Sequence, residues 1–478
     1  MNMLLGDCLK GIDHEIRGAG DPDITSICYD SRKAEKGCLF FCITGFETDG
    51  HRYAPMAEEK GAAAIVVTRF LDGIGIPQVK VPDDRKAMAL ISENFYGKPY
   101  EKLTVIGITG TKGKTSTSYM VKSILEKAGH KTGLIGTISY MIGDKVIPAA
   151  HTTPEAPELQ KMLREMLDDG ADSVVMEVSS SALVFDRVYG MHFDAGVYTN
   201  LSQDHLDIHK DFEHYAKAKQ MLFGISGKSI INTDDAWSGT MKEGVKGELL
   251  TYSLMGDADF AAKDIRLDVS GTEFTLGWNG NEKKIDLMIP GRFMVYNALA
   301  AAAACLSLGI DIEDVASGLL DVKGVAGRFE KLDTKGRDFS VILDYAHTPD
   351  SLKNILESVR HFSKGRVVCL FGCGGNRDRA KRPKMGEITE ELADLAIVTT
   401  DNPRFEEPGD IINEILSGMK KDNHVVIENR LEAIKYALDN ARKDDIIILA
   451  GKGHEYYQEI KGIRYHFNEK EIVDELLD

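Results

Sequence analysis

The run Val105-Ile-Gly-Ile-Thr-Gly-Thr-Lys-Gly-Lys-Thr-Ser116 passes from a β-branched segment through glycines into a helical pattern. Val105 to Thr109 reads as a buried parallel strand that stops at Gly110 and Gly113. From about Lys114 the apolar spacing turns helical (Tyr119, Val121, Ile124, Leu125). Strand, glycine loop and helix are the context of a phosphate-binding loop. Glycines let backbone N–H groups wrap an anion, and the helix N-terminus adds partial positive charge. Gly110, Thr111, Lys112, Gly113, Lys114, Thr115 and Ser116 are the expected nucleotide contacts. Lys114 would reach the outer phosphates, and Thr115 would place a hydroxyl at a phosphate-bound Mg²⁺. Ile108 stands where the full Walker pattern has its first glycine, and a GKT tripeptide alone also fits an ordinary glycine-rich βα turn.

A chain of 478 residues is too long for one core and implies two to four domains. Its net charge of −17 argues against a general nucleic-acid or membrane-surface binder, while leaving room for a local basic pocket. The longest apolar run, Ala298 to Ile310, is too short to span a bilayer, and Met1 to Lys10 lacks the pattern of a signal peptide. Seven scattered cysteines without zinc-finger spacing fit buried free thiols in a reducing, cytoplasmic setting.

Residues 1–102 mix short strands (Ser26 to Tyr29, Cys38 to Ile43, Ala63 to Val67) with a helix at Tyr53 to Lys60, and Asn94 to Lys102 reads as a linker. Residues 103–330 alternate strand and helix, the mark of a doubly wound α/β sheet. Ser173 to Val178, Ala195 to Thr199 and Ser229 to Asn232 are its further strands. Asp257 to Ile289 reads as antiparallel hairpins before an alanine-rich helix beginning near Asn297. A second α/β pattern fills residues 331–478. Its strands, Ser340 to Asp344, Val367 to Phe371, Leu395 to Thr399, His424 to Ile427 and Asp445 to Ala450, are separated by helical stretches. Four of them end in polar or glycine clusters: Asp344 to His347, Gly372 to Arg379, Asp401 to Arg404 and Gly451 to Glu455. Ligands collect at the carboxyl ends of parallel strands, so the four clusters predict one shared cleft.

Glu177 and His205 follow strands next to the phosphate loop, where a carboxylate and an imidazole could hold Mg²⁺ against a triphosphate. A zinc pair of His205 with His209 is the competing reading, although it lacks the neighbouring Glu of the metalloprotease motif. On pattern alone Lys217 and Lys219 are surface charges. Arg377, Arg379, Lys381 and Arg382 form the densest basic cluster, and it follows the glycine-rich Gly372 to Gly375. Arg404, after Pro403, offers a guanidinium fork suited to a carboxylate. His347, His454 and Glu455 are further cleft residues.

Taken together the motifs resemble the Mur ligases, ATP-dependent amide-forming enzymes of peptidoglycan synthesis, from end to end and in order. Asp30-Ser-Arg32, Gly37 to Phe40 and Asp49-Gly50 resemble the N-terminal part. Gly110 to Ser116, His151-Thr-Thr-Pro154, Glu177 to Ser180, Arg187-Val188, Thr199 to Asp207 and Tyr215 to Phe223 resemble the central part. Asp344 to Pro349, Gly372 to Gly375, Asp401-Asn-Pro-Arg404 and Gly451 to Glu455 resemble the C-terminal part. The resemblance implies an α/β chain of three domains. They are a small UDP-binding domain (1–102), a central doubly wound P-loop ATPase domain (103–330) and a C-terminal Rossmann-like domain (331–478). It further implies a cytoplasmic, monomeric enzyme that uses ATP and Mg²⁺ to join meso-diaminopimelate to UDP-MurNAc-L-Ala-D-Glu.

Carried over by position, Lys114, Glu177, His205 and a carbamate on Lys219 would be catalytic, with Thr115, Glu177, His205 and Lys219 serving two Mg²⁺ ions. Asn297, Arg328, Asp344 and His347 would lie near adenine and ribose. Ser31, His151, Thr152, Thr153, Ser179, Phe185, Arg187 and Lys219 would meet the UDP-muramoyl dipeptide. Arg377, Asp401, Asn402, Pro403, Arg404, Gly451 and Glu455 would meet the amino acid, with Arg404 on the distal carboxylate that L-lysine lacks. Ser181, Phe185, Gln203, Met294 and Asn376 depart from residues common in the family. Within it, an L-lysine ligase is the nearest rival and a folylpolyglutamate-synthase-like enzyme a more distant one. A P-loop regulatory or scaffold protein is the alternative from another class.

Overall fold

The computed structural model describes residues 2–45, 48–143, 145–202, 209–268 and 271–478. Three large sheets follow one another along the chain. The first orders its strands as Glu15–Arg17, Gln78–Lys80, Ala64–Val67, Cys38–Phe41 and Ser26–Cys28, parallel except at the Glu15–Arg17 edge. Cys38–Phe41 and Ala64–Val67 are buried throughout, which is why they read as continuous apolar runs rather than alternating ones.

The second sheet has eleven strands. Its parallel centre runs Thr132–Ile135, Ser173–Glu177, Thr104–Thr109, Phe193–Tyr198, Ser226–Asn232 and Glu248–Ser253. The three strands Phe260–Asp268, Gly271–Trp278 and Asn281–Leu287 are antiparallel to one another and continue this sheet rather than forming one of their own. Phe274, Leu276, Ile285 and Leu287 on their inner face pack in the same core as the helix Arg292–Ser307. That helix begins at Arg292, one turn before the alanine run that announces it, because Gly291 (φ 126°) makes the turn into it. Small alanine side chains allow it to be buried nearly all round, packed against the phosphate-loop helix Lys114–Lys127.

The third sheet orders its strands as Glu330–Leu332, Ser340–Asp344, Ile446–Ala450, Val367–Phe371, Leu395–Val398 and His424–Val426, parallel except at the first edge. A hairpin, Tyr457–Ile460 with Ile463–His466, lies beyond it.

The expected linker at Asn94 to Lys102 is different in the structure. Residues through Tyr96 complete the helix Asp84–Tyr96, Gly97 caps it at φ 74°, and Pro99–Lys102 form a 3₁₀ turn with Tyr100 buried. Glycine and proline here terminate and restart helical structure instead of loosening the chain. Among the described residues no helix is long and apolar enough to cross a membrane. All seven cysteines are free and buried.

Candidate active site

The strand Thr104–Thr109 lies between Ser173–Glu177 and Phe193–Tyr198, with Ile108 opposite Glu177 and Thr109 opposite Tyr198. The register sets the loop Gly110–Gly113, Glu177 and Thr199-Asn200 at one edge. Ile108, at the first-glycine position of the Walker pattern, is part of the buried strand. Gly110 and Gly113 have positive φ, and a Cβ on Gly110 would lie 1.8 Å from Thr199 Oγ1. One on Gly113 would lie 2.4 Å from Asn297 Oδ1. Thr199 Oγ1 and Asn200 Nδ2 donate to the Lys112 carbonyl (2.7 and 3.1 Å), and the Lys112 N–H donates to Asn200 Oδ1 (3.0 Å). Lys114 Nζ donates to the carbonyls of Gly110 (2.8 Å) and Thr111 (3.0 Å), so the ammonium lies across the loop. Thr115 and Ser116 open the following helix.

Glu177 is fully buried, its oxygens accepting from the N–H (2.9 Å) and Oγ1 (2.8 Å) of Thr137. A Cβ on Gly136 would lie 2.6 Å from Glu177 Oε1. Lys219 is 1% exposed, which overturns its reading as a surface charge. It lies on the inner face of the helix Phe212–Gln220 with Tyr215 and Ala216, donates to the Gly110 carbonyl at 2.9 Å and approaches the Tyr215 ring at 4.5 Å. Lys217, two positions away and so on the opposite face, is exposed and pairs with Glu213. His205 lies outside the described residues. His209, its expected zinc companion in the competing reading, is buried with Nε2 2.8 Å from Ser180 Oγ and its ring stacked on Tyr215.

A cavity of about 1030 Å³ opens above these groups. His151, Thr152, Thr153, Ser179, Phe185 and Arg187 line one side of it; Asn297, Arg328, Asp344 and His347 line the other. Thr153 Oγ1 donates to the Glu177 carbonyl (2.8 Å), and Arg187 bonds the Thr153 carbonyl (2.8 Å) and Glu155 (2.7 Å). Ser31 does not join them. It is buried in the 3₁₀ turn Ser31–Lys33, and its carbonyl accepts from Lys60. The first sheet reaches the central domain through other residues: Tyr29 donates to Glu158 (3.0 Å), and Arg85 sits 5.2 Å from the Phe185 ring. Neither contact carries a motif, so neither is visible in the sequence. Burial holds the Asp344 carboxyl above its usual range although Arg328 pulls it down; the Phe329 N–H donates to it at 2.7 Å.

The carboxyl ends of Ser340–Asp344, Ile446–Ala450, Val367–Phe371 and Leu395–Val398 are adjacent, and the four clusters do converge. His347, Arg377, Asp401, Asn402, Arg404, Gly451 and Glu455 line a second cavity of about 1020 Å³. Pro403 sits behind its wall, its carbonyl where a Gly375 side chain would go. Arg404 Nη1 donates to the Gly375 carbonyl at 2.9 Å. Asp401 is buried with Oδ2 unbonded among the described residues. Burial alone would raise its pKa, but Lys452 and Arg430 outweigh that and hold it below the usual range. Burial, followed by the charge of Asp401, raises Glu455, which accepts from Asn402 Nδ2 at 2.8 Å. Lys452, named in the sequence only as part of a motif, is fully buried and donates to Asn402 Oδ1 (3.0 Å) and the Tyr457 carbonyl (2.7 Å). His454 is pushed down to about 4 by burial and by Arg328, lies 5.1 Å from the Tyr345 ring and does not line the cavity.

The basic cluster divides. Arg377 faces the cavity, while Arg382 is fully buried between Glu406 and Glu414, and Arg379 also pairs with Glu414. Tyr345, His347 and Asp350 border both cavities.

Against known families, residues 23–96 match the Mur ligase family catalytic domain, 108–305 the Mur ligase middle domain and 327–453 the Mur ligase glutamate ligase domain. This chain belongs to the Mur ligase family. Among Mur ligases it is 51% identical over 479 residues, 99% of each chain, to UDP-N-acetylmuramoyl-L-alanyl-D-glutamate–2,6-diaminopimelate ligase of Caldanaerobacter subterraneus subsp. tengcongensis. It is 50% identical over 457 residues, 95% of each chain, to the ligase 1 of that name from Clostridium acetobutylicum. A solved structure of a ligase with the same name superposes with a TM-score of 0.74 at 30% identity, covering 100% of this chain and 99% of the other. The Mur fold is shared more widely. The MurF ligase of Thermotoga maritima in complex with ADP gives a TM-score of 0.65 at 18% identity, covering 95% and 96%.

Proposed function

We propose that this Mur ligase is an ATP-dependent amide ligase that adds meso-2,6-diaminopimelate to the D-Glu of UDP-MurNAc-L-Ala-D-Glu, acting in the cytoplasm as a monomer. The observation that carries the reading is the pair of cavities with a common wall. A phosphate loop and a buried carboxylate lie in one, and Arg404 lies among buried acidic groups in the other. The names of its relatives support the same substrates.

In this reading Gly110 to Ser116 hold the phosphates of ATP, and Lys114 moves from the Gly110 and Thr111 carbonyls to the γ-phosphate. Asn297, Arg328, Asp344 and His347 flank the nucleoside. The D-Glu carboxylate of the dipeptide, held by Thr152, Thr153, Ser179 and Arg187, attacks the γ-phosphate to give an acyl phosphate and ADP. The amino group of the incoming diamino acid then attacks the acyl carbon, and phosphate leaves. Crowded anionic oxygens make charge neutralisation the main contribution of the protein.

The donors at this end fit Mg²⁺, which prefers hard oxygen ligands: the buried carboxylate of Glu177 and the hydroxyl of Thr115. Lys219 fits only after its amine combines with CO₂, releasing a proton and becoming a carboxylate-like carbamate. His205 would complete the set. When bound, Mg²⁺ supplies positive charge to the phosphate oxygens.

Phosphate release with ATP, Mg²⁺ and UDP-MurNAc-L-Ala-D-Glu, run with meso-diaminopimelate or with L-lysine and checked by product mass, tests the proposal. Release with meso-diaminopimelate alone is expected. Arg404→Ala should cut the preference for it by about 10²-fold, because the distal carboxylate loses its partner. Hydrolysis indifferent to both amino acids would sink the ligase reading in favour of a nucleotide-binding switch.

A further inference from the structure

Arg404 is held by a part of the chain that no motif marks. Its φ is 52°, a left-handed value that is costly for a side chain with a Cβ and persists where surroundings impose it. The imposing element is the C-terminal hairpin. The Arg404 N–H donates to the Glu459 carbonyl (3.0 Å), and the Lys461 N–H donates to the Arg404 carbonyl (2.7 Å). The side chain is gripped as well: Nε lies 3.4 Å from Glu459 Oε2, while Nη1 donates to the Gly375 carbonyl. Among the described residues Nη2 donates no hydrogen bond, and Arg404 and Glu459 both line the amino-acid cavity. The Glu459 N–H in turn donates to Asn402 Oδ1 (2.9 Å), which ties the hairpin to the loop that carries Arg404. Arg464, the cross-strand partner of Glu459, stacks on Tyr457 and lines the same cavity.

Resting on the function proposed above, we propose that Glu459 is a positioning residue for amino-acid selection. Its carboxylate fixes the plane of the Arg404 guanidinium so that the outer edge faces the distal carboxylate of the diamino acid. A guanidinium is a rigid fork, and fixing one edge pre-organises the other. Without Glu459 the fork is anchored only at Nη1 and swings about that bond.

The test is steady-state kinetics on the full-length enzyme with each substrate varied in turn. Glu459→Ala should raise KM for meso-diaminopimelate at least fivefold, with kcat and KM for ATP and the UDP-muramoyl dipeptide unchanged. Glu459→Gln, which keeps the shape and one acceptor, should recover part of the loss and covers the case in which the alanine variant folds poorly. In an Arg404→Ala background, Glu459→Ala should add nothing, since it acts only through the arginine. An unchanged or lowered KM for the diamino acid, a fall in kcat alone, or full additivity with Arg404→Ala would overturn the role of Glu459. Absence of amino-acid-dependent turnover in the unmodified enzyme would instead overturn the ligase reading, so the two failures are distinguishable.

Discussion

At Lys219 the sequence pattern and the structure part company. An isolated lysine on an amphipathic helix reads as solvated, yet this amine is buried against the phosphate loop, with a carbonyl and an aromatic face as neighbours. Its spacing three and four positions after Ala216 and Tyr215 puts it on the apolar face that Lys217 avoids, but a lysine there carries no chemical role without the resemblance to a family. Lys219→Met should lower kcat for amide formation by about 10²–10³-fold. The same change should leave the thermal midpoint level or higher, because an apolar chain of similar length replaces a buried polar group. Kinetics and calorimetry on one preparation check both halves. Ser31 is the converse. Its motif was legible and its turn is present, but the residue lies away from the central cavity because that motif sits on the first sheet. Glu93 was not legible as special. Burial raises its carboxyl to about 7, against the opposing pull of the hydrogen bond that Tyr100 donates at 3.2 Å. Below pH 4.5 both folded and unfolded chains hold this proton. As pH rises from there to about 7 the unfolded chain releases it first, so the group increasingly disfavours folding. Glu93→Gln should therefore stabilise by on the order of 2 kcal/mol at pH 8 and by almost nothing at pH 4.5. Denaturant midpoints at the two pH values measure the difference.

At the scale of elements, strand existence was easy to read and element ends were not. Five of the six strands of the last sheet carry continuous apolar runs flanked by turn residues, and the polar ends of four of them converge as the parallel-sheet rule requires. The alanine-rich helix starts a turn ahead of its alanine run because its start is set by Gly291, a backbone feature, rather than by apolar composition. The loop at Gly110 is tightly determined, squeezed between Thr199 and Lys219. Gly110→Ala should weaken ATP binding by at least tenfold, read by titration with a fluorescent nucleotide, since the added methyl forces Thr199 and its bond to Lys112 aside.

At the scale of the molecule, the nucleotide cavity draws one wall from the central sheet and another from the C-terminal one. The expected order of three domains could be argued from motifs, whereas the contacts between the first and central domains (Tyr29 with Glu158, Arg85 with Phe185) belong to no pattern. Because ATP would touch two domains, a complete set of ligands should draw the C-terminal domain inward and reduce the radius of gyration, measured by small-angle scattering. Superimposable curves with and without ligands would count against that closure.

The seven cysteines acquire a use from this arrangement. Cys8, Cys28, Cys38 and Cys42 are in the first domain, Cys305 is in the alanine-rich helix, and Cys369 and Cys373 lie on or next to one strand of the last sheet. Burial pushes the thiols up, Cys42 and Cys369 to about 12, so the native enzyme should resist alkylation at neutral pH. Each part of the molecule thus carries its own silent chemical clock. Mass spectrometry of alkylated peptides over time would read how often each domain opens, without any label being engineered in.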